Sequence, residues 1–329
     1  MVHTIYIEED LQNHPRVLRI RERFKQARVI FCERYSEVFN PKAQNFRLQK
    51  QNPALILARK YRRFALPAPS GYGIGAAHNY YFSHMLNCLY DCRYCFLQGM
   101  YQSAHYVLFV NFEDFQQDIQ QICANHAGEM VHFFSGYDCD SLAMEPVTGF
   151  AEHFFPFFQT LPNAGWELRT KSTQVRSLLN QTPDPHCIVA FSLSPDYVVE
   201  RVEAKTPALT QRLEAMVKLQ RQCWNVGLRF DPVIYFQDYQ THYRQLFEQV
   251  FSRLNAEQIH SVSLGTFRLP ESYFKKIHKL YPQEKLLAGP FEPLNGMMGY
   301  QTELEQEIRA FCQAELMTFI SPSQFFPCQ

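Results

Sequence analysis

The chain is 329 residues long, 46% hydrophobic and 15% aromatic, with 32 Lys+Arg set against 32 Asp+Glu. Such a composition belongs to a well-packed globular protein of one large or two modest domains and excludes a disordered one. A formal net charge of zero excludes a global basic field, so any DNA contact must come from a local patch.

Residues 1–75 read as an N-terminal segment rich in Arg, Gln and Asn. Its opening, Met1 to Asp10, lacks the basic-then-apolar order of a signal peptide. No run of about 18 apolar residues follows anywhere, so no transmembrane helix is expected, and the predicted location is the cytoplasm. The segment carries Arg59-Lys60-Tyr61-Arg62-Arg63, which reads either as a solvated helix face or as a DNA-binding patch with an aromatic among cations. Pro67-Ala-Pro-Ser-Gly-Tyr-Gly-Ile-Gly75 marks a connection.

From residue 76 to 329 the pattern changes to strands alternating with helices. Strands are predicted at Met130–Phe134, Ile188–Leu193, Val226–Phe230, Ser261–Leu264 and Met317–Ile320. Helices are predicted around Phe112–Ala124, Ser172–Asn180, Leu209–Gln222, Tyr239–Arg253, Glu271–Leu280 and Glu303–Ala314. Short apolar strands between helices of ten or more residues argue for a parallel α/β sheet. The units are too few for a closed eight-strand barrel. An open, partial (β/α) barrel is expected, with ligands at the carboxyl ends of its strands.

The densest chemistry lies in Cys88-Leu-Tyr-Asp-Cys92-Arg-Tyr-Cys95. This C-x3-C-x2-C spacing brings three thiolates around one point. Three protein ligands suit a [4Fe–4S] cluster that needs four, because one iron stays open; a radical enzyme uses such an iron to hold and reductively cleave S-adenosylmethionine. A structural zinc site is the alternative: it wants four Cys/His ligands, and His84 is available, although no second CxxC pair occurs. A disulfide set is disfavoured, since three thiols at this spacing cannot all pair. Cys32, Cys123, Cys187, Cys223, Cys312 and Cys328 are scattered and read mostly as small buried apolar residues. Tyr80-Tyr81-Phe82 and Phe133-Phe134 suit a dry pocket or plain core packing.

Several segments in order resemble the radical S-adenosylmethionine superfamily, and within it the spore photoproduct lyase family. Cys92-Arg-Tyr-Cys95-Phe-Leu-Gln resembles that family's cluster loop, Arg169-Thr-Lys171-Ser172 its Thr-Lys-Ser strand end, and Phe191-Ser192-Leu193-Ser194-Pro195 its Ser-Leu-Asn-Pro strand. Thr206-Pro207, Phe230-Asp231-Pro232 and Gly265-Thr266-Phe267-Arg268 also match, so the likeness spans roughly residues 75 to 320. It implies a partial (β/α)6 TIM-type barrel, a [4Fe–4S] cluster on Cys88, Cys92 and Cys95, and S-adenosylmethionine near Lys171, Ser192 and Ser194. Such a carboxylate wants a cation, and its ammonium wants hydroxyl or carbonyl acceptors.

The resemblance further implies a lyase that reverses a covalent thymine photoproduct in DNA, fed by a reducing electron-transfer protein. Family members use a cysteine as hydrogen donor and tyrosines as a radical relay. Aligned on Asp140, the donor position falls at Tyr137, with Cys139 two residues later as the candidate thiol. Tyr94 matches one relay tyrosine, while Phe96 stands where the other would be. The family's lesion-recognising hairpin is basic; the matching stretch here, Asn295-Gly-Met-Met-Gly-Tyr-Gln-Thr-Glu303, keeps the turn glycines without the cations. Two alternatives stay open: the same initiation chemistry on a nucleotide, RNA base or small metabolite, and a non-catalytic iron–sulfur or zinc protein.

Overall fold

A computed structural model describes residues 2–39, 42, 44–69 and 71–328; Ser70, within the predicted connection, lies outside them. The chain builds two large sheets over one continuous apolar core.

The first sheet has five strands, in the order Arg28–Cys32, Thr4–Glu8, Leu55–Ala58, Tyr106–Phe109, Met85–Leu86. It draws strands from both sides of residue 75, the expected end of the N-terminal segment. The buried Glu8 carboxylate sits at the carboxyl end of its second strand and accepts the backbone N–H groups of Tyr35 at 2.8 Å and Arg59 at 2.9 Å. The cationic run expected as a helix face is instead a loop between Leu55–Ala58 and Ala65–Pro67. Its backbone bonds are taken by side chains: Lys60 N–H donates to Asn111 Oδ1 at 2.9 Å, and Ala65 N–H to Asp118 Oδ2 at 3.0 Å. Arg63 takes a left-handed φ of 56°, which a right-handed helix cannot contain, so no i→i−4 ladder forms.

The second sheet is the predicted half-barrel. In chain order its strands are β1 (Ala65–Pro67), β2 (His78–Phe82), β3 (Val131–Ser135), β4 (Ala164–Thr170), β5 (Cys187–Ser192), β6 (Asn225–Val233), β7 (Ile259–Thr266) and β8 (Phe325–Pro327). They lie side by side in the order β8-β7-β6-β5-β4-β3-β2-β1. All pairings are parallel except β1 with β2. Strands β2 to β7 are the six of the expected partial barrel, extended at its edges by β1 and β8. The longer helices after residue 100 are α1 (Phe112–Asn125), α2 (Phe150–Phe158), α3 (Leu209–Arg221), α4 (Tyr239–Phe251), α5 (Glu271–Leu280) and α6 (Thr302–Leu316). In α2, the i, i+4 spacing of Phe150, Phe154 and Phe158 puts three rings on one face. Phe158 stacks on Trp166 with centroids 4.5 Å apart, and Phe150 stacks on His84 at 3.8 Å.

Two predicted elements fail. Met317–Ile320 is no strand: α6 runs to Leu316 and turns, and the last barrel strand is Phe325–Pro327, paired with Val262–Leu264. The helix expected over Ser172–Asn180 shrinks to Arg176–Leu179. The backbone there turns through side-chain bonds instead: Lys171 N–H, just before the segment, donates to Asp140 Oδ2 at 2.7 Å, Ser172 N–H to Thr170 Oγ1 at 2.8 Å, and Gln174 N–H to Ser172 Oγ at 3.0 Å. The hairpin does form. Phe291–Leu294 pairs antiparallel with Met297–Tyr300, turned by Asn295 (φ 52°) and Gly296 (φ 78°). Two consecutive left-handed residues are what a two-residue hairpin loop requires, and Asn-Gly supplies them.

Candidate active site

The cysteine loop leaves the first sheet and crosses to the carboxyl ends of the barrel strands. At its start Asn87 takes φ 67°, and its side-chain amide donates to the carbonyls of Ser103 at 2.8 Å and His105 at 2.7 Å. Midway, Asp91–Cys92 pairs antiparallel with Glu203–Ala204, and Arg93 N–H donates to Val202 O at 2.8 Å. The short helix Leu97–Met100 ends the loop. Gln98 returns its amide to Asp91 Oδ1 at 2.8 Å and to Cys92 O at 3.2 Å. Gly99 lets this helix touch α5: a Cβ there would stand 2.7 Å from Tyr273 O.

Cys88, Cys92 and Cys95 are free thiols that feel one another electrostatically. Burial pushes all three up, Cys92 to about 12, so the bare protein holds them as thiols and a metal must displace their protons. The Lys171 ammonium stands within electrostatic reach of Cys92 and Cys95 and 5.5 Å above the Tyr94 ring. This donor set fits a [4Fe–4S] cluster: three thiols, one buried and two half-buried, with a cation facing two of them to offset the negative charge of the loaded site. The zinc alternative loses its fourth ligand, since His84 is fully buried in the stack on Phe150 and faces Cys139. Among the described residues, no group of three or more His, Cys, Asp or Glu side chains is arranged around a single-ion site.

Behind the loop lies a buried charge network that sequence reasoning missed. Glu203 and Arg212 are both fully enclosed and meet at 2.6 Å. The Glu203 carboxylate also accepts the Ser194 hydroxyl at 2.9 Å and the Tyr94 hydroxyl. Burial raises Glu203, but Lys171 and Arg212 outweigh it and hold the carboxyl below its usual range. Arg212 spreads its other donors over Ser192 O at 3.1 Å, Pro207 O at 3.0 Å and Thr206 Oγ1 at 2.7 Å. One guanidinium thus ties the end of β5 to the strand that pairs with the cysteine loop. Lys171, Ser192, Ser194 and Tyr94 converge on this network. The only sequence signal was the Thr206-Pro207 turn before α3, which named neither Glu203 nor Arg212.

A second buried pair spans the barrel. Glu167 on β4 accepts Arg229 Nη2 on β6 at 2.6 Å and Arg169 Nε at 3.1 Å. Burial pushes this carboxyl up, and Arg229 and Arg169 outweigh it to about 2. Asp140, just past β3, fastens the next loop by accepting Thr170 Oγ1 at 2.6 Å and Lys171 N–H at 2.7 Å.

The donor segment divides. Cys139 is buried, its sulfur 4.0 Å from His84 Nδ1 and bonded to the Met85 N–H, so it packs toward the first sheet. Tyr137 is half-buried, its ring 4.3 Å from Tyr81 and 5.4 Å from Phe96, the residue after Cys95. The tyrosine at the aligned position, rather than the thiol, meets the end of the cysteine loop.

The family model for spore photoproduct lyase matches residues 1–291. The chain belongs to the spore photoproduct lyase family. The match begins at residue 1, so it takes in the segment before residue 75, which the resemblance had left out. Spore photoproduct lyase of Bacillus subtilis (strain 168) is 25% identical over 293 residues, 86% of this chain and 83% of that protein. That of Geobacillus sp. (strain Y412MC61) is 25% identical over 207 residues, 60% of this chain and 59% of that one. Among solved structures, a spore photoproduct lyase mutant with bound AdoMet and dinucleoside spore photoproduct superposes with a TM-score of 0.87 at 17% identity, covering 100% of this chain and 98% of the other. Another, complexed with dinucleoside spore photoproduct, gives 0.85 over the same coverage. The half-barrel and N-terminal sheet are thus the family's fold.

Proposed function

We propose that this family member is a radical S-adenosylmethionine enzyme acting on a thymine photoproduct in DNA, and that it works in the cytoplasm. The observation that carries the reading is the three-thiol loop facing Lys171 at the carboxyl ends of the half-barrel strands. Cys88, Cys92 and Cys95 hold the [4Fe–4S] cluster, and Lys171, Ser192 and Ser194 bind S-adenosylmethionine. When bound, the two cofactors supply a 5′-deoxyadenosyl radical that takes hydrogen from the substrate, with the electron drawn from a reducing electron-transfer protein.

The chain's own residues position and insulate. Lys171 receives the methionyl carboxylate as a charge-assisted donor. Glu203 and Arg212 keep Tyr94 and the strand end at Ser192–Ser194 in place. The aromatic wall of Tyr81, Phe96 and Tyr137 screens the opening from water. Cys139, with its weak S–H bond, is the candidate hydrogen donor and Tyr94 the candidate relay. Tyr137 is the rival donor, because its phenol lies on the loop side where Cys139 does not.

The test is anaerobic turnover of dithionite-reduced, iron-reconstituted protein with S-adenosylmethionine and dinucleoside spore photoproduct. Recovery of the thymine dinucleotide supports the reading. Cleavage to 5′-deoxyadenosine with the photoproduct untouched moves the enzyme to another substrate, and protein that takes up no iron sinks it. The second reading, a nucleotide, RNA base or small metabolite as substrate, is favoured by one observation: the hairpin Phe291–Tyr300 carries Glu292 and neither Lys nor Arg.

A further inference from the structure

The cationic loop at residues 59–63 has been given no task by the site so far. It enters the barrel through β1, where Ala65 pairs with Phe82 and Leu66 with Tyr81. That register places the loop at the carboxyl end of β2, beside the Tyr81–Tyr137 ring pair and on the same face as the cysteine loop. Arg63 is near enough to Tyr81 to favour its phenolate electrostatically.

Within the run the five residues divide by role. Arg59 faces Asp10 at 3.7 Å and Asp114 at 3.6 Å. Lys60 is folded inward over Phe109 and Phe115, and burial lowers it from its usual range. These two belong to the fold. Tyr61, Arg62 and Arg63 point outward, and Tyr61 is 50% exposed with the Arg34 guanidinium stacked on its ring at 3.8 Å. Neither Arg62 nor Arg63 forms an ion pair with a carboxylate among the described residues. Their anchors are firm, since Arg59, Lys60 and Ala65 are held by Glu8, Asn111 and Asp118.

We infer that Arg34, Tyr61, Arg62 and Arg63 form the surface on which the sugar–phosphate backbone of duplex DNA docks to present a lesion to the site. The inference rests on the proposed DNA substrate and adds where the strand is gripped. Two unpaired guanidiniums on a fixed loop match phosphate geometry, and an aromatic among them offers a sugar or a base a flat face. Docking here lets a chain with no net charge bind a polyanion next to its radical site, on a loop separate from the hairpin that lacks cations.

The test is fluorescence anisotropy of a labelled duplex, irradiated or not, titrated with reconstituted full-length protein at several salt concentrations. Each phosphate contact contributes about 0.9 to the slope of log K against log salt, so Arg62→Gln with Arg63→Asn should flatten that slope by about 1.8. Affinity for both duplexes should fall by the same factor, because phosphate contacts carry no lesion information. Arg62→Lys with Arg63→Lys should keep the wild-type slope, which separates lost charge from misfolding. A matched pair on the outer face of α3, Lys218→Gln with Arg221→Gln, should also keep it. An unchanged slope in the Gln/Asn variant, or an equal drop in the α3 control, overturns the inference while leaving the DNA reading intact. Tighter, equally loop-dependent binding of single-stranded RNA overturns duplex DNA as the partner. Wild-type protein that binds neither duplex at low salt instead removes the DNA reading itself.

Discussion

Replacing Glu203 by Gln should cost far more than one surface ion pair. The carboxylate is fully enclosed, meets Arg212 Nη2 at 2.6 Å and balances Lys171 as well. Glutamine keeps the shape and an acceptor for Tyr94 and Ser194, but it leaves the enclosed Arg212 without its counter-charge and takes one from Lys171. Removing one member of a buried pair costs about 3–5 kcal/mol, whereas replacing both with apolar residues of similar volume is often neutral. With a urea slope of about 3 kcal/mol/M, Glu203→Gln should lower the unfolding midpoint by roughly 1–1.7 M. Glu203→Leu with Arg212→Met should recover most of that loss. Because Glu203 pairs in register with Cys92, the single variant should also load less iron per chain. The assay is urea unfolding followed by far-ultraviolet circular dichroism, with iron counted after anaerobic reconstitution. A single variant within about 1 kcal/mol of wild type would mean that water or an alternative partner reaches Arg212. The reasoning about a sealed network would then be wrong.

Three further outcomes are expected. Gly99→Ala puts a Cβ 2.7 Å from the Tyr273 carbonyl; the short helix after Cys95 must move off α5, and iron content should drop while the far-ultraviolet spectrum stays native. His132 is held neutral by burial, its value lowered to about 4, and His84 likewise to about 3. Between pH 6.5 and about 4 the unfolded chain binds protons there that the folded chain does not. Stability should therefore fall on acidification by about 1.4 kcal/mol per pH unit for each ring; a flat urea midpoint from pH 7 to 5 contradicts this. Finally, Tyr137→Phe and Cys139→Ala should separate the two donor candidates. The variant that stalls product formation while leaving 5′-deoxyadenosine release intact identifies the donor, and if neither does, the hydrogen atom comes from elsewhere.

The half-barrel was legible because β3, β5, β6 and β7 are short apolar runs separated by helices with clear amphipathic periods. Burial on both faces leaves such strands few polar positions to blur the pattern. The thiol loop was legible from spacing alone, since its three cysteines lie within eight residues. What sequence reading missed was made of long-range partners. The Ser172–Asn180 segment has helical composition, but Asp140, 31 residues from Lys171, takes the amide just before it. The cationic run likewise is pinned by Glu8 and Asn111, each 51 residues from the amide it accepts. Met317–Ile320 reads as a strand by its apolar residues, yet α6 carries on to Leu316 because Ile308, Cys312 and Leu316 continue its buried face. Nothing in one linear sequence announces such partners.

The same contrast explains why the three-thiol loop was visible in the sequence and its support was not. Thiols must be close in space, and closeness is cheapest to secure by closeness in sequence, so ligands leave a motif. A buried Glu–Arg pair needs only that its two elements meet. Glu203 lies nine residues from Arg212, across a turn with no recognisable spacing. Yet that pair ties the end of β5 to the strand that pairs with the cysteine loop. Any substitution that slackens it should therefore show first as lost iron, ahead of any loss of secondary structure. A Glu203→Gln variant that unfolds at lower urea but reconstitutes with the full wild-type iron content would uncouple the two and assign the network to stability alone.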